Sequence, residues 1–294
     1  MHSPSMSRRL FVVFNYTFMT VLAIICLLPM LNVLAVSFSS AGAVSAGMVT
    51  FWPVDFNLHS YSVVMKYGTF LHSLVISVER LVLGTVISLT ICVLTAYPLS
   101  KETEQFPWRT IYSWIFVITI LFNGGLIPWY LSVKQTGLLD TIWALIIPGA
   151  VNVFNIILVL NFFRGLPKEL EESALIDGAN HVIILFRIFL PISLPSLATI
   201  TLLTMVYHWN SWFDGLLFIK SPDHYPLATY LQAVTIDANS LKNMKMQDLD
   251  TLKFVSDRTG RAAQIFLTAL PILLVYPFLQ KYFVKGLVLG SVKG

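Results

Sequence analysis

Residues Leu81–Ser100 read LVLGTVISLTICVLTAYPLS, a run with no aspartate, glutamate, lysine or arginine. A helix rises about 1.5 Å per residue, so this run reaches ~30 Å, the hydrocarbon thickness of a bilayer. In both directions along the chain, charge-free windows recur at Leu10–Val54, Thr110–Val133, Thr141–Phe163, Ile188–Phe213 and Ala262–Gln280. The first is longer than one crossing, but its apolar density falls after Val36, where Ser37, Ser39 and Ser40 begin a loop. The pattern predicts an all-α, polytopic membrane protein with helices near 11–36, 70–99, 109–132, 141–163, 188–212 and 262–284, forming one transmembrane domain over 1–294.

Composition agrees. Of 294 residues, 56% are hydrophobic and 12% charged, against roughly a quarter charged in soluble domains. With a mean hydropathy of +0.75, an ordinary cytosolic enzyme and a disordered chain are both excluded. A net charge of +4 without any basic run argues for lysines and arginines at a cytoplasmic membrane edge rather than for nucleic acid. Cys26 and Cys92 both lie in apolar runs and read as small buried residues, too few for a disulfide scaffold or a four-cysteine zinc site.

Arg8 and Arg9 precede an apolar stretch of about 26 residues, well past the 7–15 of a signal-peptide core, so it reads as an uncleaved first span. An even number of crossings puts both termini on one side. Arg8, Arg9, Lys281 and Lys285 directly flank spans, whereas most basic residues of the opposite side lie in a long segment that crosses regardless of charge. Both termini are therefore expected to be cytoplasmic. Segments 37–69 and 213–261 then lie outside, the first with Trp52, Pro53 and Tyr61 as interfacial anchors, and both are long enough to meet a docking protein. Segments 100–108 and 164–187 lie inside.

The catalytic search is negative. There is no G-x-x-x-x-G-K-[ST] phosphate loop, no G-x-S-x-G and no H-E-x-x-H, and the histidines show no paired metal spacing. The informative segment is the inner loop, RGLPKELEESALIDGA at 164–179. Pro167 suits the first turn of a helix, Glu169, Glu171 and Glu172 fall near its positive N-terminal end, and Gly178 can end it in a left-handed conformation. Leu166, Leu170 and Ala174 share one face. A second short helix is expected over about 180–187, with Pro191 and Pro195 at the start of the fifth span. An acidic amphipathic helix beneath an anionic leaflet is poorly suited to hold lipid headgroups. It suits a socket on another protein.

Glu172-Ser173-Ala174, then Gly178, then Ile188-Phe189-Leu190-Pro191 resembles the EAA-x3-G-x9-I-x-L-P loop of ABC importer permeases, with serine for alanine at the second position. Ala96-Tyr97-Pro98-Leu99-Ser100-Lys101 is similar to the A-Y-A-L-S-R end of their second span. Trp209-Asn210 with Pro226-Leu227, and the tail Lys285–Gly294, extend the likeness over nearly the whole chain. These features resemble the carbohydrate-uptake branch, on the side of the six-span maltose permease subunit. Phe122-Asn123-Gly124-Gly125-Leu126-Ile127-Pro128 resembles the complex-oligosaccharide subgroup of lipoprotein-associated and alginate-type importers.

The resemblance implies a type I ABC importer permease fold in a bacterial inner membrane. It implies a heterodimer with a second homologous permease chain, two ATPase subunits that bind ATP and Mg, an extracytoplasmic solute-binding protein and an oligosaccharide substrate. It assigns no cofactor, catalysis or nucleic acid to this chain. The helix over 168–178 becomes the coupling helix: Glu172 for a charged contact with the ATPase, Ala174 for close approach and Gly178 for the turn, with Glu171, Ser173, Asp177 and Ala179 completing the surface. The tail after Gly286 also reaches the ATPase in this reading.

Within the spans, Glu79 and Arg80 are charges in an apolar setting, read either as mutual or partner pairing or, for Arg80, as a contact for an acidic sugar. Trp209 and Asn210, with His208, Trp212 and Phe213 beside them, offer ring faces and an amide suited to a sugar path, or equally an interfacial aromatic belt. The competing class, a secondary transporter or channel without ATPase coupling, places ionisable residues at midplane. Here the charge gathers on one inner loop instead.

Overall fold

The computed structural model describes residues 6–66, 68–122, 124–240 and 258–291. Asn123, segment 241–257 of the expected outer docking loop, and Lys293 lie outside the described residues, as do the side chains of Arg9, Lys281, Lys285 and the tail after Gly286. Among the described residues all regular structure is helical.

The chain divides into two compact units. One comprises residues 1–68 and 234–270, the other 69–233 and 271–294. In the first unit, α1 (Met6–Ser37) covers the expected first span. Its side chains are almost all exposed and apolar, among them Phe11, Phe14, Leu22 and Ile25, as expected of a helix whose solvent is lipid. Cys26 is exposed on this helix, not buried as its apolar neighbourhood suggested, because every face of α1 is apolar and only part of it turns inward. Segment 37–69 is partly helical, with α2 (Ala41–Ser45) and α3 (His59–Lys66). Trp52 is 83% exposed and free to act as an anchor. Tyr61 instead shares a hydrogen bond of 2.7 Å with Ser37 and stacks on Phe38, which fastens α3 to the end of α1.

The second unit is built on α4 (Gly68–Ser100), which covers the second expected span. Its buried face runs Ser73, Ser77, Arg80, Gly84, Ser88, Cys92 and Ala96, three or four residues apart. Small residues at that spacing let neighbouring helices approach closely. At Gly84 the approach is extreme, since a β-carbon there would collide with the imidazole of His208.

The third expected span, 109–132, departs from a straight helix. It is α5 (Arg109–Leu121) and α6 (Leu126–Gln135), turned 119° from each other. The turn sits at Gly125, whose φ of +84° is open to glycine at little cost. The fourth, 141–163, is α7 (Ile142–Ile146), a 3₁₀ turn around Pro148, and α8 (Val153–Arg164), with a 48° bend. After it come α9 (Glu169–Ile176), α10 (His181–Ile184), a π-helical turn over Leu185–Phe189, and α11 (Leu190–Ile192). The fifth, expected over 188–212, narrows to α12 (Leu194–Asn210), set 81° from the run His181–Ile192. Pro191 and Pro195 each lack an amide donor and flank that break. The segment expected as a loop over 213–261 instead contains α13 (Phe213–Phe218) and α14 (Leu227–Ser240). Finally α15 (Arg258–Ser291) covers the range of the sixth expected span. By length and composition, α1 and α4 are each sufficient to cross a membrane, and the three bent pairs qualify only if each counts as one span.

The core of the second unit lies toward the C-terminal end of α4. There Cys92, Ala96, Tyr97 and Leu99 pack with Ile156, Val159 and Phe163 of α8, Ala174 of α9, Ile184 of α10, and Phe189.

Candidate functional site

The helix in segment 164–179 forms as its sequence dictates. Glu169, Glu171 and Glu172 occupy the first turn of α9, where the dipole favours carboxylates. At its other end the Ala179 amide bonds the Ala174 carbonyl (2.9 Å) and the Gly178 amide bonds the Leu175 carbonyl (3.0 Å). With Gly178 at φ +81°, this is a Schellman termination. Ala174 turns inward and is 8% exposed. Glu172, Ser173, Asp177 and Gly178 are exposed, and Ile176 stands 86% exposed at the tip. The result is a short, rigid helix with one face fixed in the core and an acidic face with an apolar tip presented outward.

The anchor that fixes it is electrostatic as well as apolar. Lys101, directly after α4 and only 7% exposed, places its Nζ 2.7 Å from Oε2 of Glu171. The same ammonium lies 4.0 Å from the ring centroid of Tyr97 and 4.4 Å from that of Phe189, within reach of both quadrupoles. Burial pushes the Lys101 ammonium below its ordinary value, and the bond to Glu171 opposes this. The Tyr97 hydroxyl shares a hydrogen bond with His181 Nδ1 at 3.1 Å, tying α10 to the same box. Two guanidinium groups cap the end of α4, Arg164 on the Leu99 carbonyl (3.0 Å) and Arg109 on the Lys101 carbonyl (2.6 Å), which also suits the negative pole of the helix. At the exposed edge Lys168 pairs with Glu102 and holds its carboxyl below the usual carboxylate range.

The other polar centre of the unit lies in the N-terminal half of α4. Arg80 is wholly buried and pairs with Asp214 of α13, with a second bond of 3.3 Å to the same carboxylate and one of 3.1 Å to the Ser211 carbonyl. Ser77 accepts the Leu227 amide at 2.7 Å, so α4 also holds the start of α14. Beside this clamp is an open groove of about 400 Å³ lined by Trp129, Tyr207, Asn210, Trp212, Phe213 and Asp214. Tyr207 also borders a pocket of about 160 Å³ with Ser88, Asn152, Asn155 and Thr204. Polar and aromatic side chains thus continue from the groove into the unit.

Residues 114–288 match the family model described as binding-protein-dependent transport system inner membrane component. The chain belongs to that family. The permease is 39% identical over 289 residues to the polygalacturonan/rhamnogalacturonan transport system permease protein YtcP of Bacillus subtilis, covering 98% of this chain and all of that one. It is 41% identical over 296 residues to protein LplC of the same organism, covering 100% and 98% of the two chains. A solved structure of a bacterial ABC transporter involved in the import of the acidic polysaccharide alginate superposes with a TM-score of 0.87 at 34% identity, over 96% of this chain and 100% of that one. The fold is accordingly that of a type I ABC importer permease. The family is one of multi-pass inner-membrane transport subunits that work in complexes with other subunits.

Against this geometry the residues singled out in the permease sequence separate cleanly. Glu172, Ser173, Asp177 and Gly178 share the outward surface of α9, with Ala179 half-buried beside them. Glu171 does not join them, since its carboxylate is spent on Lys101. Ala174 makes its close approach to this chain's own core, because i,i+4 spacing places it on the same face as Leu170 and Leu166. Arg80 is buried against Asp214 and does not pair with the adjacent, exposed Glu79, since consecutive helical residues point in different directions. Trp209 is buried and Asn210 lines the groove. Missed in the sequence were Ile176, Lys101, Asp214 and Trp129. An isoleucine on the polar side of an amphipathic helix was a readable signal for the first. The other three depend on contacts between distant segments.

Proposed function

We propose that the permease forms half of the pore of an ATP-driven oligosaccharide importer, paired with a second homologous permease chain. Two ATPase subunits bind ATP and Mg²⁺ and hydrolyse the nucleotide beneath it, this chain being non-catalytic, and an extracytoplasmic binding protein delivers the sugar. Both termini are cytoplasmic, a reading supported by Arg8 and Arg9 in the first turn of α1. The observation that carries the proposal is α9, a rigid acidic knob with Glu172, Asp177 and Ile176 exposed at one end of the long helix α4. A packed helix moves as a unit, so a push on its exposed face is passed to whatever its buried face holds. Oligosaccharide as cargo is supported by the relatives' transport of polygalacturonan and rhamnogalacturonan and of alginate. It is also supported by the groove, where Trp129, Tyr207 and Trp212 offer ring faces beside the Asn210 amide.

The test is uptake by proteoliposomes holding the whole complex, offered oligogalacturonate, alginate-derived oligouronate and neutral maltooligosaccharide in turn. ATP-dependent accumulation of one of them is expected. The pair Glu172→Lys with Gly178→Pro should leave the spans inserted and abolish that accumulation, and undiminished uptake would remove the coupling role of α9. A single cysteine at Ile176 should react with an impermeant reagent only from the cytoplasmic side.

A further inference from the structure

Residues 81–100 of α4 lie between two ionic attachments. At its inner end Lys101 holds Glu171 of α9. Nearer its outer end Arg80 holds Asp214 and the Ser211 carbonyl, and those residues border the aromatic groove. Twenty-one positions separate the two cations, or ~31 Å of helix. We propose that Lys101 and Glu171 are positioning residues that make α4 the connecting rod between the ATPase-facing helix and the outer groove. This rests on the function proposed above and adds the route by which motion of α9 reaches the groove.

The chemistry favours a joint at Lys101 over a passive contact. Apolar surfaces such as Ala174 against Ile184 resist compression, but they can slide past one another. A buried ion pair resists sliding as well as separation, because either movement leaves a desolvated charge without its partner. The rings of Tyr97 and Phe189 enclose the ammonium and exclude water from the pair, which strengthens it. A lysine ammonium is also a point charge with rotatable donors, so α9 can tilt about the joint without breaking it. At Arg80 the fork on Asp214 together with the Ser211 carbonyl leaves no such freedom, and the rod's outer end moves with the groove wall.

The test uses the assembled complex carrying a reporter cysteine at Asn210 in a Cys26→Ser background, Cys92 being buried. Its rate of modification by a soluble maleimide is compared with and without ATP and vanadate. Without other changes, the rate should shift on nucleotide trapping. If it does not, the proposed function itself fails. With Glu171→Gln or Lys101→Met the ATPase should still co-purify and hydrolyse ATP, while the nucleotide-dependent shift at Asn210 falls about tenfold, the scale of one lost charged hydrogen bond. Lys101→Arg should retain the shift. The double variant Lys101→Met/Glu171→Met replaces the pair with apolar side chains, an exchange that commonly preserves folding, and should lose the shift like the single variants. A wild-type shift in the double variant would reduce the pair to packing and overturn the inference. Loss of ATPase co-purification in Glu171→Gln would overturn it too, by making Glu171 a docking contact. Failure of both single and double variants to accumulate in the membrane would do the same, by making the pair a folding requirement.

Discussion

Arg80 and Lys101 are two buried cations, one within α4 and one directly after it, and they are held in different ways. The arginine is wholly enclosed and divides its donors between a carboxylate and a backbone carbonyl. The lysine has one carboxylate partner, two aromatic rings and a sliver of exposure. The flanking glycines differ in parallel. Gly84, one turn from Arg80, is required for space, because the His208 ring occupies the room a side chain would need. Gly178, at the end of α9, has open space around it and is required for its φ of +81°. The region around Arg80 is therefore rigid through interlocked packing, and α9 is a shaped knob held by an apolar face and a buried ion pair. A transporter needs both, one part that holds geometry and one that accepts displacement.

The comparison breaks most visibly at Arg80. Arg80→Met leaves Asp214 as an unpaired buried charge and should cost roughly 3–5 kcal/mol, read as an earlier unfolding transition in detergent. Arg80→Lys should recover only part of this, since a point charge cannot serve both partners in a fork geometry. Next is Gly84→Ala, expected to cost about 1–3 kcal/mol through overpacking against His208, in the same measurement. Gly178→Ala should cost about 1–2 kcal/mol from backbone strain alone, with little change in global unfolding but faster amide exchange confined to 174–179.

The lysine joint has its own signature in pH. Burial lowers the folded-state affinity of Lys101 for a proton below the ordinary value of 10.5. In the window between the lowered value and 10.5 the unfolded chain therefore binds more protons than the folded one, and stability rises with pH. The melting temperature of the wild type should gain on that of Lys101→Met as pH is raised through this window, and a declining difference would contradict the buried setting. The smallest effect is expected at the surface. Glu102→Gln removes an exposed pair with Lys168 and should leave unfolding within error at moderate salt.

Much of this molecule was legible in its residues. The helix bounds expected at 11–36 and 70–99 lie within about five positions of those of α1 and α4, and the loop 164–179 declared an acidic helix closed by Gly178. These are local properties. Hydropathy over some twenty residues reports the solvent a helix prefers, and dipole and capping rules act within one turn. The broken third span was less legible, although Gly125 was in plain sight, because a glycine permits a 119° turn without requiring it. The partner of Arg80 was not legible for a related reason. Its natural partner by sequence distance was Glu79, and its partner in space lies 134 positions away.

The amino-acid sequence by itself determined that the chain is a helical membrane protein with one acidic helix in the loop 164–179, since those features follow from composition and short-range periodicity. Only the tertiary structure decided which carboxylates are exposed and which are engaged, that Glu172 faces outward while Glu171 is held by Lys101, and that Arg80 is buried against Asp214. Pairings of that kind are set by which helix faces meet in the packed unit, and no local rule encodes the distance between two segments far apart along the chain.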